Sequence, residues 1–135
     1  MRTAATLVVL ASVLLAGCGG GSSGPLYDLA ATRGCLRSAG ANVGPDTTRF
    51  VDKASRGNLL VERKPYPVHI AFGKSGSEAG SIATDVKGIA NLTNEGDTQV
   101  TGVVVERKGN VAYYVTSDTF PAAARRQVER CLKKA

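Results

Sequence analysis

The chain has 135 residues, 17 of them basic and 11 acidic, for a formal charge of +6. That length suits one hydrophobic core and not two, and with no Trp and only 5% aromatic residues the core must come mainly from Val, Leu, Ile and Ala. One histidine, His69, excludes a histidine-cluster metal site, and the positive charge favours anionic partners such as lipid headgroups or acidic envelope polymers, the alternative being a solvated surface with a basic bias.

The chain begins with Arg2 and then a mostly apolar run from Ala4 to Ala16 that contains Leu7, Val8, Val9, Leu10, Val13, Leu14 and Leu15. A short basic start followed by such a run is the pattern of a secretory signal. The run is short of the roughly 20 residues that a membrane-spanning helix needs. It ends in Leu15-Ala16-Gly17-Cys18, which resembles the lipobox of bacterial lipoproteins. The resemblance implies that the Cys18 sulfur carries a diacylglyceryl group and that the chain is cut just before it. Residues 1–17 are then a signal peptide, and the charge falls from +6 to +5 with the loss of Arg2. Gly19-Gly20-Gly21-Ser22-Ser23-Gly24-Pro25 follows as a flexible tether, so residues 18–25 link the lipid to one domain over residues 26–135. The resemblance covers residues 1–18 only and gives an address, not a chemistry.

With Cys18 assigned to lipid, Cys35 and Cys131 remain. A compartment outside the cytoplasm permits a disulfide between them, the alternative being two separately buried thiols. A bridge closing so long a loop stabilises by roughly 4–5 kcal/mol on the chain-entropy account, less any strain.

Leu29, Thr32, Cys35, Leu36 and Ala39 recur at helical spacing, so residues 27–39 read as a first helix, stopped at Gly40. Pro45-Asp46 opens a short helical turn through Phe50, Val51 and Ala54 that ends at Gly57. Two β-rich runs follow, 59–64 and 68–72, parted by Pro65-Tyr66-Pro67, which is a hairpin signal. A helix begins at Ser75, with Glu78 three residues on as a capping box and Ile82, Val86 and Ile89 along one face. A second hairpin joins 103–108 to 111–115 through Gly109-Asn110. The last helix begins near Asp118, with Pro121 in its first turn, and buries Phe120, Ala124, Val128, Cys131 and Leu132. Lys133 and Lys134 close it, where positive charge suits the helix dipole.

The fold class is therefore α+β, of order α-ββα-ββα. Two hairpins form a four-stranded antiparallel sheet with helices on one face, and the disulfide holds the first helix against the last. The tetrapeptide Val-Glu-Arg-Lys occurs at 61–64 and again at 105–108, consistent with a duplicated ββα unit or with chance. Val103, Val104, Val105, Tyr113 and Tyr114 leave neither sheet face polar. Such strands are covered on both sides, here from within by the first helix, the alternative being a partner or acyl ligand from outside.

Few residues carry a chemistry. His69 lies on the strand face opposite Val68, Ile70 and Phe72, as an ordinary sheet-face residue or a lone acid–base group. Gly73-Lys74-Ser75 imitates the end of a phosphate-binding loop, but Val68 stands where the motif needs its first glycine, so Ser75 is read as a helix cap. Asn94-Glu95-Gly96-Asp97 is an acidic turn with too few oxygens for a calcium site. Arg63, Lys64, Arg107 and Lys108 stand at the two hairpin tips and would make one basic rim for anionic headgroups or a polymer if the tips share an end of the sheet. The alternative is that charged tips only keep the hairpins soluble.

The sequence thus reads as a membrane-anchored lipoprotein on the extracytoplasmic face of the cell membrane, with a non-catalytic binding or cell-envelope role. Its partners are the membrane through the lipid anchor, and an envelope protein or an anionic lipid or polymer. That address argues against nucleic acid, and nothing in the chain asks for a cofactor or metal. The alternative is a carrier or sensor of a small apolar ligand held between sheet and helices. A hydrolase is a third class and would need Ser, His and a carboxylate converging around His69.

Overall fold

The computed structural model describes residues 24–93 and 102–135. Residues 1–23, with the expected signal peptide, Cys18 and most of the expected tether, and residues 94–97, expected as an acidic turn, lie outside the described residues, as does the side chain of Ile89. The described residues form an α+β fold, with three helices and one antiparallel sheet of five strands. In chain order the elements are α1 (Leu29–Ser38), β1 (Asn42–Gly44), β2 (Asn58–Glu62), β3 (Val68–Phe72), α2 (Gly76–Thr93), β4 (Val104–Lys108), β5 (Val111–Val115) and α3 (Ala122–Cys131). The strands lie side by side as β1-β2-β3-β5-β4.

The sheet has five strands and not four because β1 pairs with β2 at its outer edge, Val43 opposite Val61. With three residues and one apolar side chain, β1 is too short for the two-residue alternation that marks a strand. Helices cover both faces of the sheet, not one. Leu59, Val61, Val68, Ile70, Phe72, Val111, Tyr113 and Val115 form one face, which packs against Leu36 of α1 and Ala124, Val128 and Cys131 of α3. Ala71, Ala112 and Tyr114 form the other, which packs against Ala79, Ile82, Ala83 and Val86 of α2. The cover is internal, but α2 supplies it and α1 sits beside α3. The central strands β3 and β5 are apolar on both sides and can be buried only this way.

The helix ends follow their capping chemistry. The Asp28 carboxylate accepts from Ala31 N–H at 2.7 Å and starts α1, which ends before Gly40. Ser75 Oγ accepts from Glu78 N–H, while the Glu78 carboxylate reaches Lys74 N–H at 2.7 Å and Ser55 N–H at 2.8 Å. The capping box therefore closes one residue earlier than its usual form and also ties down the 45–57 loop. That loop is a run of single turns and not a helix. Pro121 is the N-cap of α3, three residues past Asp118, because the Asp118 carboxylate is used elsewhere, accepting from Gly102 N–H at 2.8 Å.

Cys35 and Cys131 are joined, with Cα atoms 5.3 Å apart across 96 residues of sequence. Backbone pairing reinforces the bridge: Tyr27 pairs with Lys134, Asp28 N–H donates to the Lys133 carbonyl, and Ala135 N–H to that of Leu26.

Candidate functional site

The two hairpin tips do not form one rim. β3 and β5 run antiparallel, His69 opposite Tyr114 and Phe72 opposite Val111, so the β2–β3 tip and the β4–β5 tip lie at opposite ends of the sheet. Roughly 13 Å of strand separates those ends. Arg63 and Lys64 line an open recess of about 480 Å³ with Asn42, Leu60, Glu62 and Pro67. Arg107 lines another, of about 590 Å³, along the outer side of α2 with Ser77, Ser81, Thr84, Asp85 and Lys87. Lys108 pairs with Glu129 at 3.5 Å. The repeated tetrapeptide does not play one role twice either. Val61 points to the α1–α3 side and Val105 to the α2 side. Glu62 sits near Asn42, whereas Glu106 pairs with Arg125 at 2.5 Å.

Positive charge gathers instead on the outside of the α1–α3 layer. Arg33, Arg37, Arg126, Arg130, Lys133 and Lys134 are exposed there. The other exposed residues of 29–38 and 122–135 are Ala30, Ala31, Gly34, Ser38, Ala122, Ala123 and Ala135, so no acidic side chain is exposed among them. Two carboxylate side chains belong to the layer and both are partly buried: Asp28 caps α1, and Glu129 accepts from the Tyr113 hydroxyl at 3.0 Å while pairing with Lys108. Arg125 is answered by Glu106 from β4. Of the six exposed cations only Arg37 has a polar partner among the described residues, the Val43 carbonyl at 3.0 Å. Among the described side chains of α2, residues 76–88, the exposed positions are of a different kind: Ser77, Ser81, Thr84, Asp85, Lys87 and Gly88, one charge of each sign.

The first described residues are fixed beside that layer. Asn110 is fully buried; its Oδ1 accepts from Tyr27 N–H at 2.6 Å and its Nδ2 donates to the Gly73 carbonyl at 2.8 Å. The adjoining Gly109 has φ +50, and a Cβ there would lie 1.8 Å from the Pro25 oxygen. Only glycine lets residues 24–27 pass over the β4–β5 turn.

A second cluster lies on the α2 side of the sheet. His69 Nδ1 and Asp46 Oδ2 are 2.6 Å apart, and the imidazole stacks on Tyr114 with centroids 4.4 Å apart and planes 9° apart. The Asp46 side chain is wholly buried and that of His69 is 12% exposed. Asp46 also accepts from Thr48 N–H at 2.9 Å, and its own N–H donates to Asn58 Oδ1 at 2.7 Å. Burial alone would raise the Asp46 pKa, but the hydrogen bonds from His69 and Thr48 outweigh it and hold the carboxyl below its ordinary value. Burial and then the Asp46 charge push the Tyr114 hydroxyl up, so it stays neutral. A carboxylate on Nδ1 fixes the ring as in an acid–base pair. The Thr48 hydroxyl stands 3.4 Å from that same Nδ1. Among the described residues no side-chain hydroxyl or thiol hydrogen-bonds to Nε2, where a nucleophile would be activated.

Two of these features escape a reading of the sequence. Asp46 lies 23 residues from His69 and reads as a helix opener. Arg126 and Arg130 do stand four residues apart on one helical face, but Lys133 and Lys134 do not close that helix as expected, since α3 ends at Cys131 and Lys134 pairs with Tyr27, and the absence of exposed facing acids needs the fold. No family model, curated protein or solved structure matches the chain.

Proposed function

We propose that the chain is a lipid-anchored domain outside the cytoplasm with a non-catalytic binding role at the cell envelope. The observation that carries this is the outer α1–α3 layer, where six cations are exposed and no acidic side chain is. A patch of one sign raises the local concentration of anionic partners and speeds encounter with them. The Cys35–Cys131 bridge fits an oxidising compartment, and it leaves Cys18, in its lipobox-like setting, as the one cysteine outside the bridge. The anchored reading is tested with the native chain in its own cells. It is expected to partition into the detergent phase and to react, on intact cells, with an amine reagent that does not cross membranes. Recovery in the aqueous phase, or protection from the reagent, contradicts it.

Acid–base chemistry at His69 is a second reading, favoured by the Asp46 contact. It requires a reacting hydroxyl brought to Nε2 by a ligand, because Thr48 stands on the wrong nitrogen. Any activity found in the purified protein should then disappear in His69→Gln while the fold persists. The carrier alternative has less support. Both sheet faces are filled by side chains, and the two recesses open to solvent beside charged groups.

A further inference from the structure

We propose that the α1–α3 face docks on the anionic headgroups of the same bilayer that holds the Cys18 anchor. This deepens the anchored reading and rests on it. Three observations carry it.

The first is where the chain enters the domain. Residues 26–28 are paired to 133–135, so the tether root lies against the end of α3 and the start of α1. The second is the reach of the tether. Residues 19–25 are mostly Gly and Ser, and a Gly/Ser-rich segment of that length spans roughly 15 Å root-mean-square. Screening acts over about 8 Å at physiological salt. The domain is thus held close enough for its nearest charges to feel the surface, and Lys133 and Lys134 are adjacent to the root. The third is charge. Arg33, Arg126 and Arg130 continue the patch and have no acidic neighbour exposed in the layer. Confinement by the tether keeps the effective concentration of headgroups high, so a weak contact suffices. A lipid chain combined with a basic patch is a two-signal membrane attachment. The disulfide and the terminal backbone pairing hold the patch rigid, so docking would set the orientation of the whole domain and turn α2 and its recess away from the membrane.

The test uses native lipidated protein in vesicles of phosphatidylcholine, alone or mixed with phosphatidylglycerol. Vesicle flotation reads the anchor, and the rate at which an uncharged reagent acetylates each lysine reads the docking. Lys53, Lys74 and Lys87 are exposed outside the layer and serve as internal references. On anionic vesicles Lys133 and Lys134 should react slower on the order of fivefold than on neutral ones, with the references unchanged. Raised salt should remove the difference. The Arg126→Gln/Arg130→Gln chain should lose most of the protection with its melting temperature unchanged. Flotation with both vesicle types but equal lysine rates overturns the docking and leaves the anchor intact. Protection that ignores lipid charge also overturns it, pointing to contact between copies. Failure to float on neutral vesicles removes the anchor, and the docking with it.

Discussion

The two faces of the sheet are built on different physics. The α1–α3 face is filled by volume: Leu36, Leu59, Ile70, Phe72 and Tyr113 interlock, and a covalent bridge joins the two covering helices. The α2 face is built by close approach and hydrogen bonding. Ala71, Ala79, Ala83 and Ala112 bring α2 near the sheet, and beyond them Asp46, Thr48 and His69 form a buried polar cluster. One face should therefore respond to reduction and the other to acid.

Reduction, or Cys35→Ser with Cys131→Ser, should do the most damage. The closed loop is long, and losing the bridge should cost about 4 kcal/mol, visible as a melting point lowered by roughly 20 °C. A melting point unmoved by reductant would mean that the α1–α3 face holds by packing alone. Asn110→Ala comes next. It strips the partners from Tyr27 N–H and the Gly73 carbonyl and should cost about 2–3 kcal/mol in urea unfolding. Amide exchange near Tyr27 should rise more than exchange in β3.

Acid acts on the other face. Asp46 has its pKa lowered by folding, so its contribution is fully present above the ordinary carboxylate value of about 4 and is lost as pH falls through the lower folded value. Stability measured downward from pH 5 should fall, and Asp46→Asn should flatten the slope while lowering stability at neutral pH by about 1–2 kcal/mol. Glu78 is lowered as well, through Ser55 and Lys74, and titrates in the same window, so the Asp46→Asn/Glu78→Gln chain should be flatter still. A Cβ on Gly80 would meet only Arg107 Nη1, at 2.6 Å, the movable end of a flexible side chain. Gly80→Ala should raise stability by up to about 1 kcal/mol through helix propensity. A loss instead would mean that Arg107 is fixed in place.

Much of this fold is legible in the residues alone, and the limits have physical causes. α1, α3 and both hairpins announce themselves by period and by turn residues, and the bridge follows from two cysteines on helical apolar faces. β1 is invisible because one valine makes no pattern. The division of helices between faces depends on strand parity, and the repeated tetrapeptide misleads there. Three residues separate its first copy from β3 and two separate the second from β5, so Val61 and Val105 point to opposite faces. The single basic rim fails for a related reason. Adjacent hairpins joined through antiparallel β3 and β5 must carry their tips to opposite ends. The Asp46–His69 pair is a contact between a loop and a strand, for which no local signal exists.

The most direct test of the whole account is intact-mass and peptide-mass analysis of the native protein, with and without reductant. The expected result is a mature chain that begins at Cys18 and carries a diacylglyceryl mass there, with the peptides of Cys35 and Cys131 linked until reduced. A chain that keeps residues 1–17 and has three free thiols would contradict both the anchor and the clamped α1–α3 face.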